Sequence, residues 1–134
     1  MITFSQQRNI ALEQILPLYE AHNWSSAHKP QTLYQALLSS HTLVSAWDGE
    51  KLVGIGNAIS DGFLVVYYPH LLVSPGYQGQ GIGRKIMEIL KQPYEGMHMQ
   101  MLVADREAIG FYEKCGFTKA GKTQPMWIYD GADH

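Results

Sequence analysis

The chain has 134 residues, of which 46% are apolar and 16% charged, and it carries a net charge of −2. That length holds one domain, taken as 1–134, and the charge balance excludes a generic polyanion binder, so no nucleic-acid partner is expected. A single cysteine, Cys115, excludes an internal disulfide framework, and the longest apolar run, 63–68, is too short to span a bilayer, so a cytoplasmic protein with no membrane partner is expected.

In chain order, Ile2–Ser5 is read as a first short strand. Leu12, Ile15, Leu16 and Tyr19 recur at helical spacing, with Pro17 expected to kink or shorten that helix. Residues 21–29 read as a loop, and Pro30 opens a second helix carrying Leu33, Leu37 and Leu38. A hairpin follows: 42–47, a turn at Asp48-Gly49, and a return strand over 51–60. After Ser60-Asp61-Gly62, residues 63–73 read as a third antiparallel strand, broken by a bulge or a loss of pairing at Pro69. Ile82, Ile86, Ile89 and Leu90 mark a helix ended by Pro93 and Gly96, and 97–103 alternate as a strand. Ala108, Phe111, Tyr112 and Cys115 mark a last helix closed by Gly116. Phe117 and 126–129 are read as terminal strands. The order αα-βββ-α-β-α-β makes an α+β fold.

The chemistry concentrates in Gln78-Gly79-Gln80-Gly81-Ile82-Gly83-Arg84, between a strand and a helix. Alternate glycines let the backbone turn tightly and aim N–H groups inward, and the helix start adds its own unpaired N–H groups and positive dipole end. This is the make-up of a phosphate-binding nest, with Arg84 as a fixed positive charge; a glycine-rich turn with no ligand is the competing reading. No Gly-Lys-Ser/Thr follows, so the loop is not a P-loop. A dinucleotide fingerprint also fits poorly, although Asp105 stands about 20 residues on. The spacing is Gly-x-Gly-x-Gly, Pro75 separates the loop from the strand, and too little chain follows for the remaining parallel strands. The six histidines show no metal-ligand spacing, so no metal is expected.

Two motifs give the chain a family resemblance. Leu71-Leu72-Val73-x-Pro75-x-Tyr77-Gln78-Gly79-x-Gly81-Ile82-Gly83 is similar to the strand–loop–helix signature of the GNAT N-acetyltransferases, and Ala108-x-x-Phe111-Tyr112-Glu113-Lys114-Cys115-Gly116-Phe117 resembles that family's last-helix motif. They stand in the family's order, one strand apart. The resemblance implies a GNAT-like fold: a mixed, mostly antiparallel sheet with helices on both faces and a V-shaped splay between the fourth and fifth strands. It also implies acetyl-CoA as acetyl donor. The backbone of Leu71, Leu72 and Val73 would pair with the pantetheine arm as an added strand, with one N–H at Leu71 or Leu72 on the thioester oxygen. Residues 78–84 would hold the pyrophosphate, and Tyr112 would protonate the leaving thiolate. Asp105 stands where the family often has Asn, so its place in the cofactor site is open against a capping role.

For the acceptor amine, no Asp or Glu lies within 63–73, so either Tyr67 or His70 relays the proton or the amine arrives neutral. Strand alternation puts Tyr67, Pro69 and Leu71 on one face and Tyr68 and His70 on the other, unless a bulge at Pro69 exchanges them. Tyr19, His22, Trp24, His28 and Tyr68 are expected to line the acceptor mouth. The expected activity is acetylation of a small-molecule primary amine by direct attack. The alternatives are a protein lysine or N-terminal acetyltransferase and a non-catalytic acyl-CoA-binding module. A monomer or a homodimer is expected.

Overall fold

A computed structural model describes residues 1–131. Its strands are β1 (Ile2–Ser5), β2 (Thr42–Asp48), β3 (Lys51–Ser60), β4 (Val65–Tyr67), β5 (Leu71–Val73) and β6 (Met99–Met101), and its helices are α1 (Leu12–Ala21), α2 (Pro30–Leu38), α3 (Ile82–Lys91) and α4 (Ile109–Lys114). They form one mixed sheet in the order β1-β2-β3-β4-β6, with β5 also paired to β3. Every pairing is antiparallel except that of β4 with β6.

Two apolar cores sandwich the sheet. On one face Ile82, Ile86, Met87 and Leu90 of α3 pack on Val44, Ala46, Val53 and Ala58, with Phe111 and Tyr112 of α4 against the same cluster. On the other, Ile15, Leu18 and Tyr19 of α1 and Leu33 and Leu37 of α2 cover Leu43, Leu52, Ile55 and Leu72. The burial of Ile15, Leu18 and Tyr19 holds α1 together past Pro17, which neither ends the helix nor shortens it to a turn. On the first face α3 lies close to β3, because Gly54 and Gly56 leave room for it. A Cβ on Gly56 would stand 2.8 Å from methyl carbons of both Ile86 and Leu90.

Pro69 divides the expected 63–73 strand in two. Ile59 pairs with Tyr67 and Gly56 pairs with Leu71, so between them residues 57–58 of β3 oppose 68–70: one extra residue, a bulge. Proline has no N–H to give the ladder, and the extra residue reverses the facing of everything after it. Tyr68 therefore joins the α3-side core, while His70 lies against Tyr19 and Trp24 on the α1 side. Plain alternation had paired Tyr68 with His70 on one face; instead, Tyr67 and His70 share a face.

The chain also departs from expectation at its end. Neither Phe117 nor 126–129 forms a strand, and 97–103 pairs only over Met99–Met101. Phe117 packs instead against Tyr68 and Tyr112. The closeness of α3 to β3 yields a test. Gly56→Val places two methyl groups and a Cβ where Ile86 and Leu90 already sit, and overpacking of this kind costs about 2 kcal/mol. The midpoint of urea unfolding is expected to fall with the slope unchanged; an unchanged midpoint would show that the helix stands further off.

Candidate active site

The slot begins where the sheet splits. β4 pairs with β6 as far as Tyr67 and Met101, and the Tyr68 N–H donates to the Met101 carbonyl at 3.0 Å. Beyond that bond β5 stays with β3, whereas the chain after β6 turns away into Asp105 and α4. The wedge between them is a slot of about 510 Å³, within the usual range for ligand sites. Its walls are Leu71, Val73 and Tyr77 on one side, Gly79, Gly81, Ile82, Gly83 and Arg84 at one end, and Ala108, Phe111, Tyr112, Lys114 and Cys115 opposite.

Backbone alternation decides which groups of β5 serve the slot. The His70 carbonyl and the Ser74 N–H bond to Asn57 and Val53 of β3. In an antiparallel pair alternate residues face the partner, so Leu72 also turns its backbone to β3, while Leu71 and Val73 turn theirs to the slot. Leu72, expected in the site, thus has its side chain in the opposite core and its amide in the ladder. The slot-facing edge is an acceptor–donor rail: the Val73 carbonyl takes a hydrogen bond from His22 Nε2 at 2.8 Å and from Gln78 Nε2 at 3.1 Å. His22, expected at the acceptor mouth, is therefore a wall of the slot itself.

The glycine loop has the backbone of a nest. Gly79 and Gly81 take φ of +80° and +83°, a left-handed conformation that other residues adopt at a cost, and Gly81 caps α3. Nothing stands within 4 Å of a Cβ built on either, so the space above the loop is open. Gly83 differs: its Cβ would meet the Phe111 ring at 3.4 Å, and it serves the approach of α3 to α4. The residues present fit a pyrophosphate, with α3 presenting its first N–H groups and Arg84 and Lys114 flanking the loop. Gln80 and Asp105 are not among the lining residues; Asp105 precedes the short 3-10 turn Arg106–Ala108 and accepts the Ala108 N–H on its carbonyl.

Tyr112 stands in the far wall, packed edge-on to Phe111 and Phe117. Burial, with smaller contributions from Cys115 and Asp105, pushes its pKa up to about 12, so the phenol keeps its proton at neutral pH. Tyr77, which the sequence motif contained without a role of its own, donates to Asp48 Oδ2 at 2.6 Å and ties the loop to the β2–β3 hairpin. That bond, more than anything else, holds the Asp48 carboxyl below its usual range.

On the opposite face of the sheet, the Tyr19 hydroxyl lies 2.8 Å from His70 Nδ1, and Trp24 stands edge-on to both rings. Tyr19 is fully buried, and burial raises its pKa, so it orients His70 rather than meeting an acceptor. Tyr68, also expected at the mouth, is buried with its hydroxyl on Gln100 at 2.7 Å. Trp24 is half-buried, Tyr67 is exposed, and His28 is exposed at the end of the 3-10 turn Ser25–His28.

These features have a known counterpart. The acetyltransferase (GNAT) domain family matches residues 3–126. The chain belongs to the GNAT acetyltransferase family. It is thereby an enzyme of the acetyl-CoA-dependent N-acetyltransferase class. A GNAT-family acetyltransferase of Streptococcus pneumoniae is 33% identical and superposes with a TM-score of 0.83 over 97% of this chain and 99% of its own. A ycf52-like N-acetyltransferase of Prochlorococcus marinus is 27% identical over 122 residues, which is 86% of this chain and 67% of that protein. A peptidyl-lysine N-acetyltransferase of Salmonella typhimurium is 30% identical over 66 residues, 47% of this chain and 46% of its own. Among the described residues of this GNAT domain, no helix is long and apolar enough to cross a membrane.

The nest carries a test. Gly81→Glu puts a side chain on a left-handed residue and a carboxylate where a pyrophosphate would sit. Calorimetry is expected to show acetyl-CoA binding abolished in a variant whose circular dichroism is unchanged. Undiminished affinity would remove the loop from the site.

Proposed function

We propose that this slot holds acetyl-CoA and that the enzyme acetylates a small primary amine with an apolar or aromatic body, delivered to the α1 face of the sheet. The observation that carries the reading is the position of His70. It is the residue just before Leu71, at the point of the splay, with its ring on the face opposite Tyr112. A proton acceptor on the α1 side of β5 and a proton donor in the slot wall thus lie on opposite sides of that strand. The neighbours of His70 on its face are Trp24 and, across the bulge, Tyr67, which suit an apolar amine better than a charged peptide. A lone cysteine fits a reducing, cytoplasmic setting.

Acetyl-CoA supplies an acetyl group already activated as a thioester. The Leu71 N–H, turned to the slot, donates to the carbonyl oxygen as negative charge grows there. His70 takes the proton lost by the attacking amine, its ring held by the Tyr19 hydroxyl 2.8 Å from Nδ1. Tyr112 supplies a hydrogen bond, and finally a proton, to the departing sulfur. A phenol at about 12 is a weaker acid than a thiol at about 8.5, so Tyr112 acts chiefly as a donor.

Thiol release from acetyl-CoA against a panel of small amines and lysine peptides tests the acceptor class. Turnover confined to the peptides would replace this reading with a protein acetyltransferase. Tyr112→Phe is expected to lower kcat by about 10²-fold with acetyl-CoA affinity little changed, since the ring and its packing remain. Full activity would assign the sulfur to water.

His70→Gln is expected to lower kcat/KM by about 10²-fold. Tyr67→Phe should leave kcat/KM unchanged. An undiminished rate in the His70 variant would mean that the amine arrives already neutral.

A further inference from the structure

We infer that Asn57 is a positioning residue for the acetyl transfer, its side-chain amide locking the bulge at 68–70 and so fixing His70 on the α1 side of the sheet; this rests on the proposed role of His70 as proton acceptor. The amide of Asn57 stands out of place. Ile55, two positions earlier on β3, belongs to the apolar core under α1 and α2, and strand alternation points Asn57 the same way. Asn57 is buried there, and an amide in an apolar layer is costly unless it is hydrogen-bonded.

Its partners give it a task. The Asn57 N–H donates to the His70 carbonyl at 3.1 Å, and Asn57 Oδ1 accepts the His70 N–H at 3.1 Å. One residue thus holds both backbone groups of His70. In an antiparallel pair without a bulge, that His70 N–H goes to the backbone carbonyl across from it. Here 68–70 oppose only two residues of β3, and the side-chain oxygen of Asn57 takes the place of that carbonyl. Ser40 decides which end of the amide faces His70. Its hydroxyl donates to the Ala36 carbonyl of α2 at 2.9 Å, so its oxygen is left to accept, and it accepts from Asn57 Nδ2 at 2.9 Å. With its nitrogen committed to Ser40, the amide turns its oxygen to His70. A buried relay therefore runs from α2 through Ser40 and Asn57 to the backbone of His70, whose ring stands against Tyr19 of α1. Asn57 is not among the residues lining the slot.

Asn57→Leu keeps most of the side-chain bulk and removes the lock. In a variant with unchanged circular dichroism, kcat is expected to fall by about 10- to 10²-fold, the scale of a small misplacement of a reacting group, with acetyl-CoA affinity by calorimetry unchanged. Ser40→Ala frees the amide to turn and should lower kcat by a smaller factor; it decides the matter if Asn57→Leu does not fold. Adding Asn57→Leu to His70→Gln should cost nothing further, because the amide acts through that one residue. By NMR, the His70 amide of Asn57→Leu should exchange faster with solvent while the Leu72 amide, in the ladder, stays protected. Unchanged kcat in both variants, a loss of acetyl-CoA affinity as large as the loss of kcat, additive losses in the double variant, or unchanged exchange at His70 would each overturn the inference. The exchange measurement needs no acceptor. A parent protein without turnover on small amines therefore counts against the proposed acceptor, and His70 exchange still decides the lock.

Discussion

The residue without an N–H at position 69 governs most of what makes this fold a site. A strand running on β3 from 63 to 73 would be unbroken but for Pro69, which cannot feed the ladder and lets one extra residue bulge out. Everything C-terminal to it is turned over. Three consequences follow from the one reversal. His70 faces α1 and meets Tyr19, Leu71 and Val73 turn their backbones away from β3, and the shared edge with β6 ends at Tyr68.

The slot is built from groups that need little rearrangement to bind a strand-like, anionic chain. One rim is a β edge whose Val73 carbonyl is covered for now by His22 and Gln78, so a ligand amide exchanges one hydrogen bond for another. One end is a nest in which Gly79 and Gly81 hold a conformation that would strain other residues. The far wall is aromatic, and burial there raises the pKa of Tyr112. Preorganisation of this kind cuts the ordering cost of binding. In the proposed reaction it would also separate the duties of the two faces: phosphate and sulfur on the side of α3 and α4, amine on the side of α1.

Much of this was legible in the residues because it is local. Period-3.6 spacing marked α1, α2 and α3, and Asp48-Gly49 marked the hairpin, since each rests on neighbours a few positions apart. The glycine loop was legible for the same reason, as φ > 0 is a property of single residues. Less of the acceptor side could be read. Tyr19 and Tyr68 looked like mouth residues because tyrosine suits both a core and a binding surface; only packing buried them. His22 lies 51 positions from Val73, and nothing in its neighbours announces that contact.

By itself, then, the sequence determined the α+β class and the element order as far as the last helix, apart from the break at Pro69, and it marked the glycine loop and the tyrosine of that helix as candidates, all from short-range spacing and backbone preference. The tertiary structure alone decided which way His70 turns, which amides of β5 face the slot, and that 126–129 stays out of its own sheet. These depend on register and on competition between distant partners. A single added residue reverses every side chain after it, and whether a segment joins a sheet edge depends on residues far from it in the chain.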